Sequence, residues 1–542
     1  MSRLAGLLLM VLFAYSNSFH NSFQFDDEHT IVKNPYIRDL RNIPKFFTDG
    51  RTFSILPRNR TYRPLVSTSL ALDYAAGHSL DPLAFHLSTF FYFSVQLVLM
   101  FFLFRKLCGE WPALIATALY GLHPAMAETV NYVIQRGDLY ATLGVVAGIG
   151  IYALASHKRK WGLYLIPPAL GILSKPPALV FPAILFVYIW LFEREAKRSP
   201  LVRTIPSLLT TAALCTFTIA MTPKEFRPGK ISAHDYWITQ PLVALRFFRT
   251  FFLPDSLSAD TDHRALPGIW SGDAWIGFVL LIALIAIAVY TSRNAKLRPA
   301  AFGLWWFLIA FAPAALFPVY EVENDHRMFF PFVGVVLAVT WPVALWLRQR
   351  TPGGIVPKAV PVLCACELLL LTFGTMQRNV VWHSEYSLWR DTTNKSSKNG
   401  RAWMNLALLQ MGRGELQPAL ENLERARKLP HDHQIYINLG VAMGELNRNG
   451  EAVTYFEQAL KLAPQDHQAH HYYAKYLDRW HCWPDAILHL REAVSLNPDY
   501  LDSRHLLLAI YNANNYRAQA TALASDTHKR FPTELEPVRP KE

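Results

Sequence analysis

Charged residues are scarce in this chain of 542 residues: Asp, Glu, Lys and Arg make up 17% of it, against ~25% in ordinary soluble proteins. Apolar residues reach 52% and lie in long stretches that short basic clusters separate. This composition excludes a disordered chain and argues against a wholly soluble protein. Cysteine is scarce too, with five scattered residues, which excludes a disulfide framework or a cysteine-based zinc site.

Eleven apolar runs approach the ~20 residues that a helix needs to cross a bilayer. They lie at about 4–19, 84–104, 112–127, 139–156, 161–174, 177–192, 204–221, 273–291, 300–318, 329–347 and 359–376. If the N-terminus is cytoplasmic, the basic clusters fall at the cytoplasmic ends of the runs, as the positive-inside rule requires. The formal net charge of +12 is therefore a topology signal, and we predict no nucleic-acid partner.

Two segments allow more than one interpretation. Arg3, the apolar stretch Leu4–Phe13 and the small-residue pattern Ala14-Tyr15-Ser16 also fit a cleaved signal peptide. The segment 240–254 is apolar but carries two arginines, which favours a re-entrant or interfacial segment over a crossing.

A repeat begins after residue 378. Small or apolar residues recur at intervals of 33, 34 and 34 residues, at Ala407, Gly440, Ala474 and Leu508. Twelve residues after each comes an alanine: Ala419, Ala452, Ala486 and Ala520. This period and these small residues are typical of tetratricopeptide (TPR) repeats, in which two helices per unit approach closely.

We therefore predict an all-α protein with two domains. A polytopic helical membrane bundle occupies 1–378, with a first external loop at about 20–83. A TPR α-solenoid occupies 383–533, with a half-repeat at 383–397, repeats starting near 400, 433, 467 and 501, and a tail at 534–542.

Polar residues that the positive-inside pattern leaves unexplained fall mostly on the external face of this topology. They come from five separate loops and include Asp26, Asp27, His29, Arg63, Glu128, Arg136, Asp138, Lys175, Arg246, Arg249, His326 and Arg327. Such a gathering of acids and bases at one membrane surface suits an active site for a charged, lipid-anchored substrate. Structural alternatives are helix capping by Asp26-Asp27, an Arg136–Asp138 ion pair, and snorkelling of Lys175 from a span end.

The order of several short motifs carries a resemblance to a known family. The motifs are Phe25-Asp26-Asp27, Tyr62-Arg63-Pro64-Leu65, His123-Pro124 followed by Glu128, Arg136-Gly137-Asp138-Leu139, Ser174-Lys175, Gln240-Pro241-Leu242, Asn324-Asp325-His326-Arg327 and Ser387-Leu388-Trp389-Arg390. Followed by TPR repeats, this series resembles the transmembrane-and-TPR O-mannosyltransferases and their bacterial relatives, within the GT-C glycosyltransferases.

The resemblance implies a polyisoprenyl-phosphate-linked sugar donor, a mannose-like hexose, an inverting transfer and an acidic residue of the first external loop as the catalytic base. It also implies a bacterial inner-membrane protein whose first loop and TPR array lie on the periplasmic side. The family usually has Lys-Glu where this chain has Lys175 followed by two prolines, and this departure puts the role of Lys175 in doubt.

By position in the resemblance, we expect Asp26 to act as base and Asp27 to support it. A leaving phosphate needs fixed cations, for which the donor-phosphate candidates are Arg246, Arg249, His326, Arg327, Lys175 and Arg136. We expect supporting roles for His29, Arg63, Glu128 and Asp138. No cofactor is certain. A divalent cation on Asp26 and Asp27 is an alternative without a readable ligand set.

In the TPR array, Asn405 and Asn438 occupy the same place in successive repeats. An amide at this place can hold the backbone of an extended peptide, so we predict a polypeptide acceptor or partner for the array. Two other classes stay open: a transporter or flippase of a polyprenyl-linked glycan, and a non-catalytic membrane-anchored scaffold for envelope assembly.

Overall fold

The computed structural model of the chain describes residues 2–195, 198–226, 231–319, 321–350, 359–430 and 433–531. Within these ranges the regular structure is helical and no β-strand occurs, which confirms the predicted all-α class. The chain divides into two compact units, Met1–Lys395 and Ser396–Glu542. The predicted tail at 534–542 and the last two residues of the predicted array lie outside the described residues.

The described residues of the first unit form sixteen α-helices, with short 3₁₀ turns and one π-helical turn, Glu28–Val32, between some of them. They are α1 (Ser2–Tyr15), α2 (Ile43–Thr48), α3 (Pro64–Gly77), α4 (Pro82–Cys108), α5 (Glu110–Gly121), α6 (Ala127–Asn131), α7 (Arg136–Leu154), α8 (Ile166–Ile172), α9 (Phe181–Phe192), α10 (Pro200–Met221), α11 (Ala233–Phe252), α12 (Ala274–Arg293), α13 (Arg298–Leu316), α14 (Phe329–Arg350), α15 (Ala359–Val381) and α16 (Glu385–Lys395).

Seven of the described helices are long and apolar enough to cross a bilayer: α4, α7, α10, α12, α13, α14 and α15, counting the turns that lead into α7, α13 and α14. The chain is therefore a multi-pass membrane protein, and seven of the eleven predicted crossings reach spanning length within the described residues. The other four runs form α1, α5, α8 and α9, of 14, 12, 7 and 12 residues. At ~1.5 Å per residue, each is shorter than the ~30 Å hydrocarbon core.

Proline explains part of this difference. A pair at 167–168 lies inside the fifth run and a pair at 176–177 stands at the start of the sixth, where a helix cannot continue back through them because proline lacks the N–H. The ambiguous segment 240–254 is the second half of α11, which carries Asp235, Arg246 and Arg249 and is not among the seven apolar helices.

The long helices pack around one large apolar core. Helices α13 and α14 approach closely, since a Cβ on Gly303 would lie 2.4 Å from the carbonyl oxygen of Gly334. Small residues at such crossings let helix backbones meet closely, as is common in membranes.

The segment 20–83, predicted as the first external loop, is a packed layer with its own apolar core. Ile31, Ile37, Phe46, Phe53 and Val66 are buried in it. The layer also buries Tyr132 and Val133 before α7, and Trp382 and Leu388 near α16. Residues far apart in sequence therefore support the loop that carries Asp26 and Arg63.

The second unit contains four helix pairs at the predicted repeat positions. They are α17 (Gly400–Gly412) with α18 (Leu416–Arg427), α19 (Gln434–Glu445) with α20 (Asn449–Leu462), α21 (His467–Arg479) with α22 (Trp483–Leu496), and α23 (Leu501–Ala513) with α24 (Arg517–Arg530). Ala407, Ala419, Ala452, Ala474 and Ala486 are fully buried, as the repeat pattern predicts.

The segment predicted as a half-repeat, 383–397, differs from these pairs. It forms helix α16, but the division between the units falls after Lys395, so α16 packs with the first unit. Its Trp389 is buried and lies against Phe25 of the first loop, with ring centroids 4.8 Å apart.

Candidate active site

Asp26 lies at the start of the packed first loop with its carboxylate half exposed, at 53% of the side-chain surface. One oxygen, Oδ1, is 3.1 Å from Nε2 of His29, and the Asp26 backbone N–H donates to the hydroxyl of Tyr132 at 2.9 Å. Burial raises the pKa of Asp26, but the hydrogen bond and charge of His29, with Tyr132 and Arg63, outweigh it and hold the pKa below its usual value. The carboxylate is thus ionised, fixed and accessible.

His29 is itself held from its other side. Its Nδ1 is 2.9 Å from the hydroxyl of the buried Ser54, and that hydroxyl accepts the backbone N–H of Leu56 at 3.0 Å. Because both ring nitrogens have partners, the imidazole has one orientation, with Nε2 directed at Asp26.

The backbone immediately before Asp26 adopts a left-handed conformation, with φ of 48° at Phe25. Such a conformation is costly for an aromatic residue and persists only where packing enforces it. The Phe25 ring packs against Tyr132, Trp382 and Trp389, with centroids 5.6, 6.2 and 4.8 Å away. This aromatic cage holds the strained turn that presents Asp26.

Asp27 is fully buried. Its Oδ2 accepts the backbone N–H of Gln24 at 3.1 Å, and its Oδ1 accepts that of Ile134 at 2.8 Å. Burial raises the pKa of Asp27 to about 7, against these two hydrogen bonds, which lower it. Neither aspartate caps the helical turn that follows through its side chain, so the capping alternative is not realised. Asp27 instead ties the loop to the residues before α7.

A buried polar network lies below the loop. Oε1 of Glu128 is 3.1 Å from Nδ1 of His326, whose Nε2 is 3.9 Å from Oδ2 of Asp138. The same Asp138 oxygen accepts from Nζ of Lys175 at 2.6 Å, and Gln135 accepts from that Nζ at 2.6 Å. These residues come from α6, α7, the turn before α14 and the turn before α9, so the predicted gathering of four of the candidates is present in the fold.

Burial changes the pKa values of two residues in this network. It raises the pKa of Glu128 well above its usual value, with the charge of Asp325 acting in the same direction. It lowers the pKa of Lys175 to about 8, although Asp138 opposes the shift. Glu128 Oε2 is buried and has no hydrogen-bond partner among the described residues, as expected for a carboxyl group that stays protonated.

Arg136 is fully buried and its hydrogen-bonding edge is occupied. It forms an ion pair with Asp73 and donates to the Phe85 carbonyl at 2.9 Å. The Arg136–Asp138 pair considered from sequence is therefore wrong, because Asp138 pairs with Lys175. A guanidinium so placed supports the fold of α3 against α4 and α7, and we leave Arg136 out of the donor site proposed below.

The remaining predicted cations also have acidic partners. Arg246 lies 2.8 Å from Glu323, which His263 contacts at 2.7 Å. Arg249 forms a two-point pair with Asp255 at 2.8 Å, and both side chains are about half exposed. Arg327 donates to the Glu321 carbonyl at 3.0 Å and lies 4.0 Å from its carboxylate.

Arg63, predicted only as a supporting residue, differs from these cations because it has no acidic partner among the described residues. No carboxylate lies within ion-pair distance of it among the described residues, and its buried Nε has no hydrogen-bond partner there. Its guanidinium lies over the Phe53 ring, 5.1 Å from the centroid. Burial lowers the pKa of Arg63, while the charges of Asp138 and Asp26 oppose the shift.

Several residues that shape the site have no sequence motif to mark them. Tyr132, Ser54 and Gln135 contact predicted site residues directly. Asn21, Asn131 and Asn379 form a buried chain of amide hydrogen bonds of 2.7 and 2.8 Å. Their partners lie more than a hundred residues away in sequence, so no local pattern marks these asparagines.

The described residues hold no group of three or more His, Cys, Asp and Glu side chains that could bind a metal ion. Asp27 has both oxygens engaged by backbone N–H groups, which does not fit the alternative of a cation shared by Asp26 and Asp27. In the second unit, Asn405 and Asn438 are half-buried at matching places on α17 and α19.

Fold and site together define a multi-pass membrane protein with a buried acid–base centre at one end of its helices and a TPR unit. Residues 433–466 match the family model described as tetratricopeptide repeat, which confirms the repeat. The crystal structure of MamA is 16% identical and covers 27% of this chain and 85% of its own, at a TM-score of 0.24, too low to carry an argument.

The chain is similar to protein O-mannosyl-transferases of animals. It is 23% identical to Tmtc3 of Drosophila melanogaster, over 85% of this chain and 59% of that protein. It is 22% identical to TMTC3 of Homo sapiens, over 84% of this chain and 54% of that protein. The resemblance read from the motifs is confirmed, and the chain spans somewhat more than half the length of these relatives.

Proposed function

We propose that the protein is a membrane glycosyltransferase that moves a mannose-like hexose from a polyisoprenyl-phosphate donor to a hydroxyl group of a polypeptide. One observation carries the proposal: Asp26 is an ionised, half-exposed carboxylate on a rigid turn, close to a group of buried cations. The names of the relatives, protein O-mannosyl-transferases, support the reaction class and the acceptor class.

The chemistry follows from the donor. The acceptor hydroxyl loses its proton to Asp26 as its oxygen attacks the anomeric carbon. The bond between that carbon and the phosphate oxygen breaks, and its electron pair leaves with the polyisoprenyl phosphate. Attack from the side opposite the leaving group inverts the anomeric centre. His29 keeps Oδ1 occupied, so Oδ2 is the oxygen that takes the proton.

The leaving phosphate gains negative charge as the bond breaks, and fixed cations in a poorly hydrated site stabilise that charge. Lys175, with Asp138 and His326 around it, supplies one such cation. Burial raises the pKa of Glu128 well above its usual value, which favours the neutral acid over a negative charge in this network.

The most direct test uses the whole protein in lipid nanodiscs. It is incubated with a panel of polyprenyl-phosphate sugars and an unstructured Ser/Thr-rich polypeptide, and sugar on the polypeptide is measured by mass spectrometry. We expect one donor of the panel to be consumed. Nucleotide sugars serve as the matched control, because they lack the lipid phosphate, and a reaction with these alone would contradict the proposal.

We also propose that the site faces the periplasm of a bacterial inner membrane, since the basic clusters then lie on the cytoplasmic side. A periplasm-active reporter fused after Arg378 is expected to be active. The same reporter fused after Arg350 is expected to be silent. A silent reporter after Arg378 would place the residues around Asp26 on the cytoplasmic side and would remove the lipid-linked donor from reach.

A further inference from the structure

Arg63 is set apart from the six cations that the sequence offered for the donor phosphate. Each of those six has an acidic side chain as partner: Glu323 for Arg246, Asp255 for Arg249, Glu128 for His326, Glu321 for Arg327, Asp138 for Lys175 and Asp73 for Arg136. Arg63 has none among the described residues. A guanidinium that is largely desolvated without a counter-charge is costly, and its persistence points to a charge that arrives from outside.

The surroundings of Arg63 favour binding of an anion from outside the protein over pairing with one of the protein's own carboxylates. The positive charges of Arg63 and Arg327 both help to lower the pKa of Lys175. Three cations therefore lie in this part of the site. Asp138 is already engaged by Lys175 at 2.6 Å, and Asp26 is engaged by His29 at 3.1 Å. The local balance therefore leaves the charge of Arg63 without a partner of its own.

Helix α3 adds to this positive field. It begins at Pro64, Arg63 is the residue before its first turn, and no side chain caps it. A helix of 14 residues carries a partial positive charge at this end, and uncapped N–H groups there prefer an anion. The guanidinium also lies over the Phe53 ring, 5.1 Å from its centroid, and this contact restricts its movement.

We propose that Arg63, together with the N-terminus of α3, binds the phosphate of the polyisoprenyl-phosphate donor. This assignment rests on the proposed function and identifies the group that holds the substrate. A planar guanidinium can donate two parallel hydrogen bonds to a phosphate, which an ammonium group cannot do. Because Arg63 and Asp26 belong to the same packed loop, the bound phosphate places the anomeric carbon near the base.

The test measures binding without any transfer step. Wild-type protein, Arg63→Gln and Arg63→Lys are reconstituted in nanodiscs, and their affinity for sugar-free polyprenyl phosphate is measured by displacement of a fluorescent analogue. Loss of hydrogen bonds to a charged group predicts a drop of about ten- to a hundredfold for Arg63→Gln. Arg63→Lys keeps the charge but not the paired geometry, so we expect an intermediate affinity.

The matched control is Arg41→Gln. Arg41 lies in the same loop, pairs with Asp39 and has 91% of its side chain exposed, so its removal should leave the affinity unchanged. Equal affinity of wild type and Arg63→Gln would overturn the inference, as would an equal loss in Arg41→Gln. Binding of inorganic phosphate as tight as that of the lipid phosphate would identify a free anion as the ligand and overturn the donor assignment.

Failure of this inference can be told apart from failure of the proposed function. If polyprenyl phosphate binds through Arg63 but no donor transfers its sugar, the phosphate site stands and the transferase proposal fails. If sugar is transferred at the wild-type rate by Arg63→Gln with an unchanged donor KM, the transferase proposal stands and the role of Arg63 is refuted.

Discussion

The two units of this protein obtain their structure in opposite ways. In the TPR unit, small residues at a near-constant spacing, such as Ala407, Gly440 and Ala474, are buried between neighbouring helices, and each repeat needs only the next one. In the membrane unit, Asp26 depends on Tyr132, Trp382 and Trp389, which lie more than a hundred residues away. A repeat with a short period can be recognised in the sequence, whereas a site built from residues that are distant in sequence cannot.

The comparison predicts that a single polar change in the membrane unit can abolish chemistry without unfolding it. Asp26→Asn keeps the size of the side chain but cannot accept a proton as a carboxylate does. We expect sugar transfer to fall by ~10²–10⁴, the usual range for loss of a general base. The protein should insert normally and bind polyprenyl phosphate as the wild type does.

Asp27→Asn is the companion variant for this test. Both Asp27 oxygens accept backbone N–H groups in a buried place, so its substitution should lower thermal stability and not only turnover. Near-normal transfer by Asp26→Asn would move the base elsewhere in the loop, with the exposed Glu28 as the next candidate.

The TPR unit should respond to packing instead of charge. A Cβ on Gly440 would lie 2.9 Å from the Phe456 ring, so Gly440→Leu should destabilise the array by ~1–3 kcal/mol, the cost of overpacking a core. Limited proteolysis should detect the loosened array, while donor hydrolysis by the membrane unit continues. Gly412→Leu is the control, because nothing lies within 4 Å of its Cβ position. Loss of donor hydrolysis in Gly440→Leu alone would contradict the separation of the units.

Substitution of His29 tests whether this residue sets the pKa of Asp26 in addition to holding its carboxylate in place. The pKa of Asp26 lies below its usual value, with His29 as the main opponent of burial. A base works when ionised, so activity is lost as the pH falls through this pKa. His29→Ala should raise the pKa, and the acid limb of kcat/KM should move to higher pH by about one unit.

The conservative variant separates electrostatics from structure. His29→Gln retains an N–H donor toward Asp26 but loses the imidazole charge, so its limb should lie between those of the wild type and His29→Ala. The pH dependence of carbodiimide labelling at Asp26, followed by mass spectrometry, reports the same pKa without any donor. A uniform loss of activity with an unmoved limb would assign His29 a purely structural part.

The smallest effect should come from the acceptor side. If the array holds a peptide backbone through the half-buried amides of α17 and α19, Asn405→Ala with Asn438→Ala should slow transfer to a polypeptide several-fold, at ~1 kcal/mol for the lost hydrogen bonds. Transfer to a small alcohol should be unchanged. Gln458→Ala, exposed on α20, serves as control, and an equal effect on both acceptors would show that the array is not an acceptor clamp.

Much of the site could be named from the sequence, but its pairing could not. Asp26, His29, Asp138, Lys175 and His326 are recognisable because ionisable residues stand out at the ends of apolar runs. The sequence suggested Arg136 beside Asp138. In the fold, Arg136 meets Asp73 from α3, and Lys175 meets Asp138 from the turn before α9. Arg136 and Asp138 are close in sequence but lie on different faces of α7, so their closeness in sequence did not predict their ion-pair partners.

The sequence by itself determined the helical class, the membrane character and the presence of a TPR repeat, because hydrophobic length and a period near 34 residues are local quantities. Only the tertiary structure decided how many runs reach spanning length, since proline pairs limit the helices of two of them. It also placed α16 with the first unit and left Arg63, among the described residues, as a site cation without a carboxylate partner. Burial and pairing depend on which distant residues meet, and no local pattern records that.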